Sequence, residues 1–214
     1  MCESNIVVYM KEYASNKRIK DMLMKINPLL AQREENTRVH LEALTNGIIT
    51  EDEFQAIEAK MELGKLCLGI EEIIPHSYVT LLSYLEKENK IYHGAAPNIP
   101  LQFFDFFQEV NSRNLFNEHC GSCGSAVYRN QVVVTNIKTS PLWEPFREYV
   151  MQYGFQSVWS LPFYKDQKVI GTFAIYHKYI KKVSNREIHQ VQQKIKEYQE
   201  SIFLLSDQLE AKAN

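Results

Sequence analysis

NEHCGSCGSAVYRNQVVVTNIKTSPLWEPFREYVMQYGFQSVWSLPFYKDQKVIGTFAIYHKY, running from Asn117 to Tyr179, decides the fold. Its apolar, β-rich runs are Ser125 to Tyr128, Gln131 to Ile137, and Gln156 to Tyr164 with its continuation Val169 to Tyr176. The last of these, Lys168 to Tyr176, alternates with period two in β-branched and aromatic residues, the pattern of a half-buried strand. Lys165-Asp-Gln-Lys168 before it has hairpin-loop length, and Trp159, Leu161 and Phe163 share one face of the preceding strand. Pro162 denies that strand one ladder donor, which places it at an edge or near a strand end. Between the runs, Leu142, Trp143, Phe146, Tyr149, Val150 and Tyr153 recur at three and four. Proline at the first position and Gly154 at the stop predict a helix from Ser140 to Gly154. Pro145 lies near its first turn, where it costs little.

Five ordered segments within this stretch carry a resemblance: Gly121-Ser-Cys-Gly-Ser-Ala126, Val132-Val-Val-Thr-Asn-Ile137, Pro141-Leu-Trp143, Val158-Trp-Ser-Leu-Pro162 and Val169-Ile-Gly-Thr-Phe173. Together they resemble the second half of a GAF domain of the bacterial sensor type. The resemblance implies an α+β fold: an antiparallel sheet of five or six strands, helices of both chain ends on one face, and a small-molecule pocket on the other. It names no ligand and no cofactor.

With 214 residues, 45% hydrophobic and 23% charged, the chain has the composition of an ordinary folded protein large enough to bury a core without disulfides. A net charge of −2 leaves no electrostatic footprint for nucleic acid. No apolar run approaches the roughly 20 residues of a membrane helix, and no basic-then-apolar leader opens the sequence. A cytoplasmic protein is expected, and four cysteines, Cys2, Cys67, Cys120 and Cys123, fit reduced thiols better than a disulfide framework.

Residues 1–50 read as an N-terminal helical extension, with one helix over Asn16 to Leu30 and a second over Arg33 to Leu44. Asn46-Gly47 makes a turn, and Thr50 with Glu53 forms a capping box. The turn imitates a calcium loop, but aligning Gly47 at the sixth position puts Leu44 at the third, where an oxygen ligand is required. Residues 51–183 form the main domain. Its first helix, 51–73, carries Phe54, Ile57, Met61 and Leu68 on one seam, widened by Leu63, Leu66, Cys67 and Ile70. Ser77 to Leu85 reads as a central strand, and Lys90 to Gly94 as its antiparallel neighbour. Pro100 to Val110 holds four phenylalanines on nearly all sides, so this helix must be buried on more than one side or line a cavity. Residues 111–124 read as a small-residue loop in which Gly121 and Gly124 let a ligand approach the backbone.

From Ser184 a capping box with Glu187 opens residues 184–214, where Ile188, Val191, Ile195, Tyr198, Ile202, Leu205 and Leu209 step by three and four. One helix of about 25 residues would reach about 38 Å, longer than a domain face needs. Its far half is therefore expected to pair with another copy, making a homodimer through 51–73 and 185–209. In the resembled family such a helix carries signal onward, so a downstream signalling protein is the other expected partner.

The expected site is non-catalytic and ligand-binding: Phe103, Phe106, Phe107, Cys120, Gly121, Cys123, Trp143 and Trp159. Both tryptophans are expected to look into one hollow. Cys120 and Cys123 admit three readings: packed side chains, redox-sensitive thiols, or metal or iron–sulfur ligands. Zinc needs four ligands, and no second pair stands at comparable spacing. His93, His119 and His177 show no ligand pattern. Function reads first as a ligand sensor in signal transduction. The alternatives are a thiol reductase similar to the GAF-type enzymes acting on free methionine sulfoxide, and a scaffold whose pocket is collapsed. The cyclic-nucleotide signature of the resembled family is missing.

Overall fold

The computed structural model describes residues 43–212. The expected helices over Asn16–Leu30 and Arg33–Leu44 lie outside them, save a closing helical turn at Ala43–Thr45. Helix α1, Glu51–Ile73, starts where the capping box predicts: the Glu53 amide donates to the Thr50 hydroxyl at 3.2 Å and the Thr50 amide to the Glu53 carboxylate at 3.0 Å. Its core stripe is Leu63, Leu66, Cys67 and Ile70, at spacings of three, one and three. Of the expected seam, Met61 is buried while Phe54, Ile57 and Leu68 are half-buried.

Strands β1 (Ser77–Leu85), β2 (Lys90–Ala95), β3 (Val133–Asn136), β4 (Ser157–Lys165) and β5 (Lys168–His177) form one antiparallel sheet in the order β2-β1-β5-β4-β3. The centre is therefore β5, with β1 beside it. Asp166 and Gln167, at φ 48° and 66°, turn the β4–β5 hairpin through the left-handed region that matches strand twist. Pro162 lies beyond Ser160, the last β4 residue paired to β3, so it occupies a stretch with an open flank.

Because side chains alternate across a sheet, β5 serves two cores. Phe173 and Ile175 join α1 and the C-terminal helices; Ala174 and Tyr176 join the aromatic layer on the opposite face. That layer is built from a 3₁₀ turn at Leu101–Phe104, α2 (Asp105–Ser112), α3 (Gly121–Arg129), a 3₁₀ turn at Pro141–Trp143 and α4 (Arg147–Met151).

Three expectations are corrected. Ser125–Tyr128 is no strand but part of α3, and the expected 111–124 loop gives way to helix at Gly121. The small residues Gly121, Ser122, Gly124, Ser125 and Ala126 let this helix lie flat on β4 and β5, all five buried, and that packing outweighs the local β preference of Val127-Tyr128. The Ser140–Gly154 helix is broken into the Pro141 turn and α4. Pro145 has no N–H to continue a ladder, and the Arg147 guanidinium instead takes the carbonyls of Ile137 and Ser140 at 3.1 and 3.0 Å.

The C-terminal rod is likewise two helices, α5 (Asn185–Glu197) and α6 (Gln199–Lys212), separated at Tyr198 (φ −115°, ψ 18°). The capping box at Ser184 and Glu187 forms as expected. The heptad stripe, however, packs into this chain's own core, α5 against α1 and α6 against α1 and β1: Val191, Ile202 and Leu205 are buried there, with Ile188, Ile195 and Tyr198 packed alongside. A strand of nine residues spans about 30 Å, so a straight rod would overrun the sheet, and bending lets both halves bury their apolar stripe. An ion pair between Lys165 of the β4–β5 hairpin and Asp207 fastens α6 down.

Candidate functional site

The aromatic layer closes over the sheet around a small hollow. Phe106 and Phe107 project from α2, Trp143 and Phe146 from the segment between β3 and α4, and Phe116 from the loop before α3. Beneath them lie Tyr176 of β5 and the first turn of α3, with Cys120, Gly121 and Cys123. The side chains nearly fill the space, leaving about 10 Å³, about the room for one water.

Six of the eight expected residues therefore meet: Phe106, Phe107, Cys120, Gly121, Cys123 and Trp143. Phe103 does not line the hollow. It is a fully buried hub, meeting Phe104, Phe106, Tyr153, Phe155 and Tyr176 edge to face at 5.2–5.6 Å between ring centres. Trp159 lies on the other side of the sheet. It pairs across the ladder with Ile175, belongs to the core under α1, and donates its indole N–H to His177 Nε2 at 3.2 Å. The two tryptophans are both buried and share no hollow.

Phe116, Phe146 and Tyr176 complete the site and were not singled out. Strand parity carries the signal for Tyr176: if Phe173 and Ile175 face the helices, Tyr176 must face the aromatic layer. Phe116 is held from a distance by Asn89, whose amide donates to the Phe116 carbonyl at 3.0 Å while its oxygen accepts the Tyr128 and Tyr84 hydroxyls at 2.6 and 3.1 Å.

The glycines serve the protein's own packing. A methyl group at Gly121 (φ 62°) would stand 3.0–3.2 Å from the Trp143 ring, and one at Gly124 would stand 2.1 Å from the Asn117 carbonyl oxygen. They permit close approach of the Trp143 ring and the Asn117 backbone, where a ligand was expected. Trp143 is fixed at its other end by donating to Thr135 Oγ1 at 2.9 Å.

None of the nine residues around the hollow carries a charged side chain. Burial pushes the Cys120 thiol up to about 12, with Cys123 nearby adding to it. Burial also raises Cys123, to about 11, although hydrogen bonding to Ser160, Ser122 and Tyr176 pulls the other way. Its sulfur stands 3.5 Å from Ser160 Oγ, which in turn is 2.8 Å from Ser122 Oγ. The Tyr176 hydroxyl, wholly buried beside Cys123, has no full hydrogen bond and is raised well above its ordinary value by that burial.

Outside the hollow, a groove of about 470 Å³ runs between α2 and the Pro145–Tyr149 segment. Phe106, Phe146 and Cys120 line both spaces, so the two phenylalanines, 5.7 Å apart between ring centres, form a septum between them. Polar side chains also line the groove: Asp105, His119, and the Glu109–Arg113 ion pair at 2.7 Å. A wider, shallow depression of about 790 Å³ opens at the α5–α6 break, walled mostly by exposed polar groups such as Glu62, Lys196 and Glu200. Among the described residues no three His, Cys, Asp or Glu side chains cluster as metal ligands, and no helix is long and apolar enough to cross a membrane.

A five-stranded antiparallel sheet with terminal helices on one face and a helix-and-loop layer on the other defines an α+β architecture. The family model for the GAF domain matches residues 70–194, more than half of the sequence, and the chain belongs to that family. No curated protein matches the sequence. Among solved structures it is similar to a type II free methionine-R-sulfoxide reductase from Thermoplasma acidophilum (17% identity, 72% of this chain and 96% of that one, TM-score 0.53). It is similar to a domain of a putative two-component sensor histidine kinase from Sinorhizobium meliloti 1021 (13%, 72% and 96%, 0.51). It is also similar to a GAF domain/HD domain protein from Geobacter sulfurreducens (12%, 71% and 94%, 0.51). At these identities the likeness concerns the fold.

Proposed function

We propose that this chain is a sensory or regulatory domain that binds a small organic molecule in the aromatic layer and passes its occupancy to α1, α5 and α6. The observation that carries the reading is the continuity of groove and hollow. A groove within the roughly 300–1,000 Å³ range of small-molecule sites ends on two phenylalanines, behind which lies an uncharged hollow. Swinging Phe106 and Phe146 aside joins the two spaces. Tyr176 on the hollow's floor is flanked along β5 by Ile175 and His177, and Ile175 packs in the core of the signalling helices. A ligand that prefers one packing of β5 therefore shifts the packing of those helices, in proportion to its differential affinity. The receiving partner in this proposal is a signalling protein. Pairing with a second copy is proposed along the half-buried Phe54, Ile57 and Leu68 flank of α1, because the C-terminal stripe is already covered.

The thiols support a non-enzymatic reading over a reductase. Nucleophilic attack needs a thiolate, and burial holds both Cys120 and Cys123 overwhelmingly protonated at neutral pH. The test is a thermal-shift screen of the full-length protein with neutral aromatic and charged metabolites, followed by hydrogen exchange on any that bind. The expected result is a compound that raises the midpoint and alters exchange in α5 and α6 as well as in α2 and α3. Failure of every compound to bind would overturn the binding role, and binding that leaves α1, α5 and α6 unchanged would overturn the sensory one.

A further inference from the structure

Resting on that site, we propose that its ligand is a small neutral aromatic molecule carrying one hydrogen-bonding group, held between the Phe106 and Phe146 rings with its polar atom on the Tyr176 hydroxyl. Three observations converge on this class. The walls of the hollow offer aromatic rings and no countercharge, so a charged group reaching past Phe106 and Phe146 would lose its water without gaining a partner. Rings in this layer already prefer tilted or edge-on contacts, such as Phe106 with Tyr149 at 5.5 Å and Phe106 with Phe146 at 5.7 Å, and an inserted ring extends the same packing.

The third observation is the Tyr176 hydroxyl. It is wholly buried on the floor of the hollow with no full hydrogen bond, beside thiols that are only weak donors and acceptors. A hydroxyl, carbonyl or ring N–H on the ligand gives it a stronger partner than the Cys123 thiol beside it. The charged groups lining the groove stay in water, where Glu109 and Arg113 already pair with each other.

The test titrates the full-length protein with p-cresol, indole and 4-methylbenzoate at neutral pH by calorimetry, in the native sequence and in Tyr176→Phe. p-Cresol and 4-methylbenzoate are similar in size and differ in charge. The expected result is binding of the two neutral compounds, with 4-methylbenzoate at least about tenfold weaker for want of a countercharge. Tyr176→Phe is expected to weaken p-cresol about fivefold, the share of one hydrogen bond, without lowering the thermal midpoint of the ligand-free protein. Equal binding of the carboxylate, or a Tyr176→Phe variant that binds p-cresol unchanged, overturns the ligand class and leaves the site standing. A lowered ligand-free midpoint in Tyr176→Phe overturns the unpartnered hydroxyl, a single bound water being then its partner. If neither neutral compound binds while a charged metabolite does, the class falls and the site survives; if nothing binds, both fall.

Discussion

Replacing Leu205 by alanine tests whether the C-terminal stripe belongs to this chain's own core. Leu205 is 6% exposed, and its Cδ2 lies 3.2 Å from where a methyl group on Gly94 would stand, so it fills the space between α6 and the β1–β2 edge. Truncation removes three carbons from that space. The transfer loss is about 2 kcal/mol and the residual cavity adds to it, for a total of about 3 kcal/mol. Leu204, one residue earlier and 36% exposed, is the control, with an expected loss under about 1 kcal/mol. Urea unfolding of the full-length protein followed by circular dichroism reads the difference. With a slope of about 2 kcal/mol per molar, Leu205→Ala should shift the midpoint by about 1.5 M. The shift should be the same across a wide range of protein concentration. A loss no larger than that of Leu204→Ala, or one that shrinks on dilution, would show that Leu205 packs against a second copy, and the folded-back arrangement of α6 would be refuted.

Gly121→Ala puts a side chain at φ 62° and against the Trp143 ring, and should cost about 2–3 kcal/mol while altering the near-ultraviolet dichroism of Trp143, read in a Trp159→Phe background. An unchanged midpoint would contradict the tight contact. Burial lowers both His93 and His177 to about 4, with the Lys60 charge adding to the effect on His93. The unfolded chain therefore takes up these protons first as pH falls below the ordinary value of about 6.5. This contribution to stability is fully present above pH 6.5 and is lost progressively toward pH 4, by roughly 3 kcal/mol for each histidine. His177→Gln, which keeps an acceptor for the Trp159 indole, should flatten part of the urea-midpoint profile over that window; a profile identical to the native one would remove His177 from the account.

The elements that were legible are those with local causes. Two capping boxes mark the starts of α1 and α5 because their residues stand three apart, and the β4–β5 hairpin follows from alternation around a short polar loop. The misread elements have non-local causes. Ser125-Ala-Val-Tyr128 is too short to carry a period, and only the sheet beneath it makes a helix the better use of Gly121 and Gly124. A stripe at heptad spacing says that Ile202 and Leu205 will be covered without saying by what. The register of Trp159 beside Leu161 and Phe163 already places it on the face opposite Val158 and Tyr176. The closed state of the hollow depends on how phenylalanines from three segments mesh, and no spacing within any one of them encodes that.

Asn89 gives the molecule an order of assembly. It occupies the left-handed position, φ 53°, that closes the β1–β2 hairpin, an element of the kind that forms within about 1–10 μs. The same side chain reaches the Phe116 carbonyl 27 positions away and the Tyr128 hydroxyl 39 positions away, contacts whose chain-closure entropy is met only later. An early, local turn thus exposes a latch before the segment it catches has arrived.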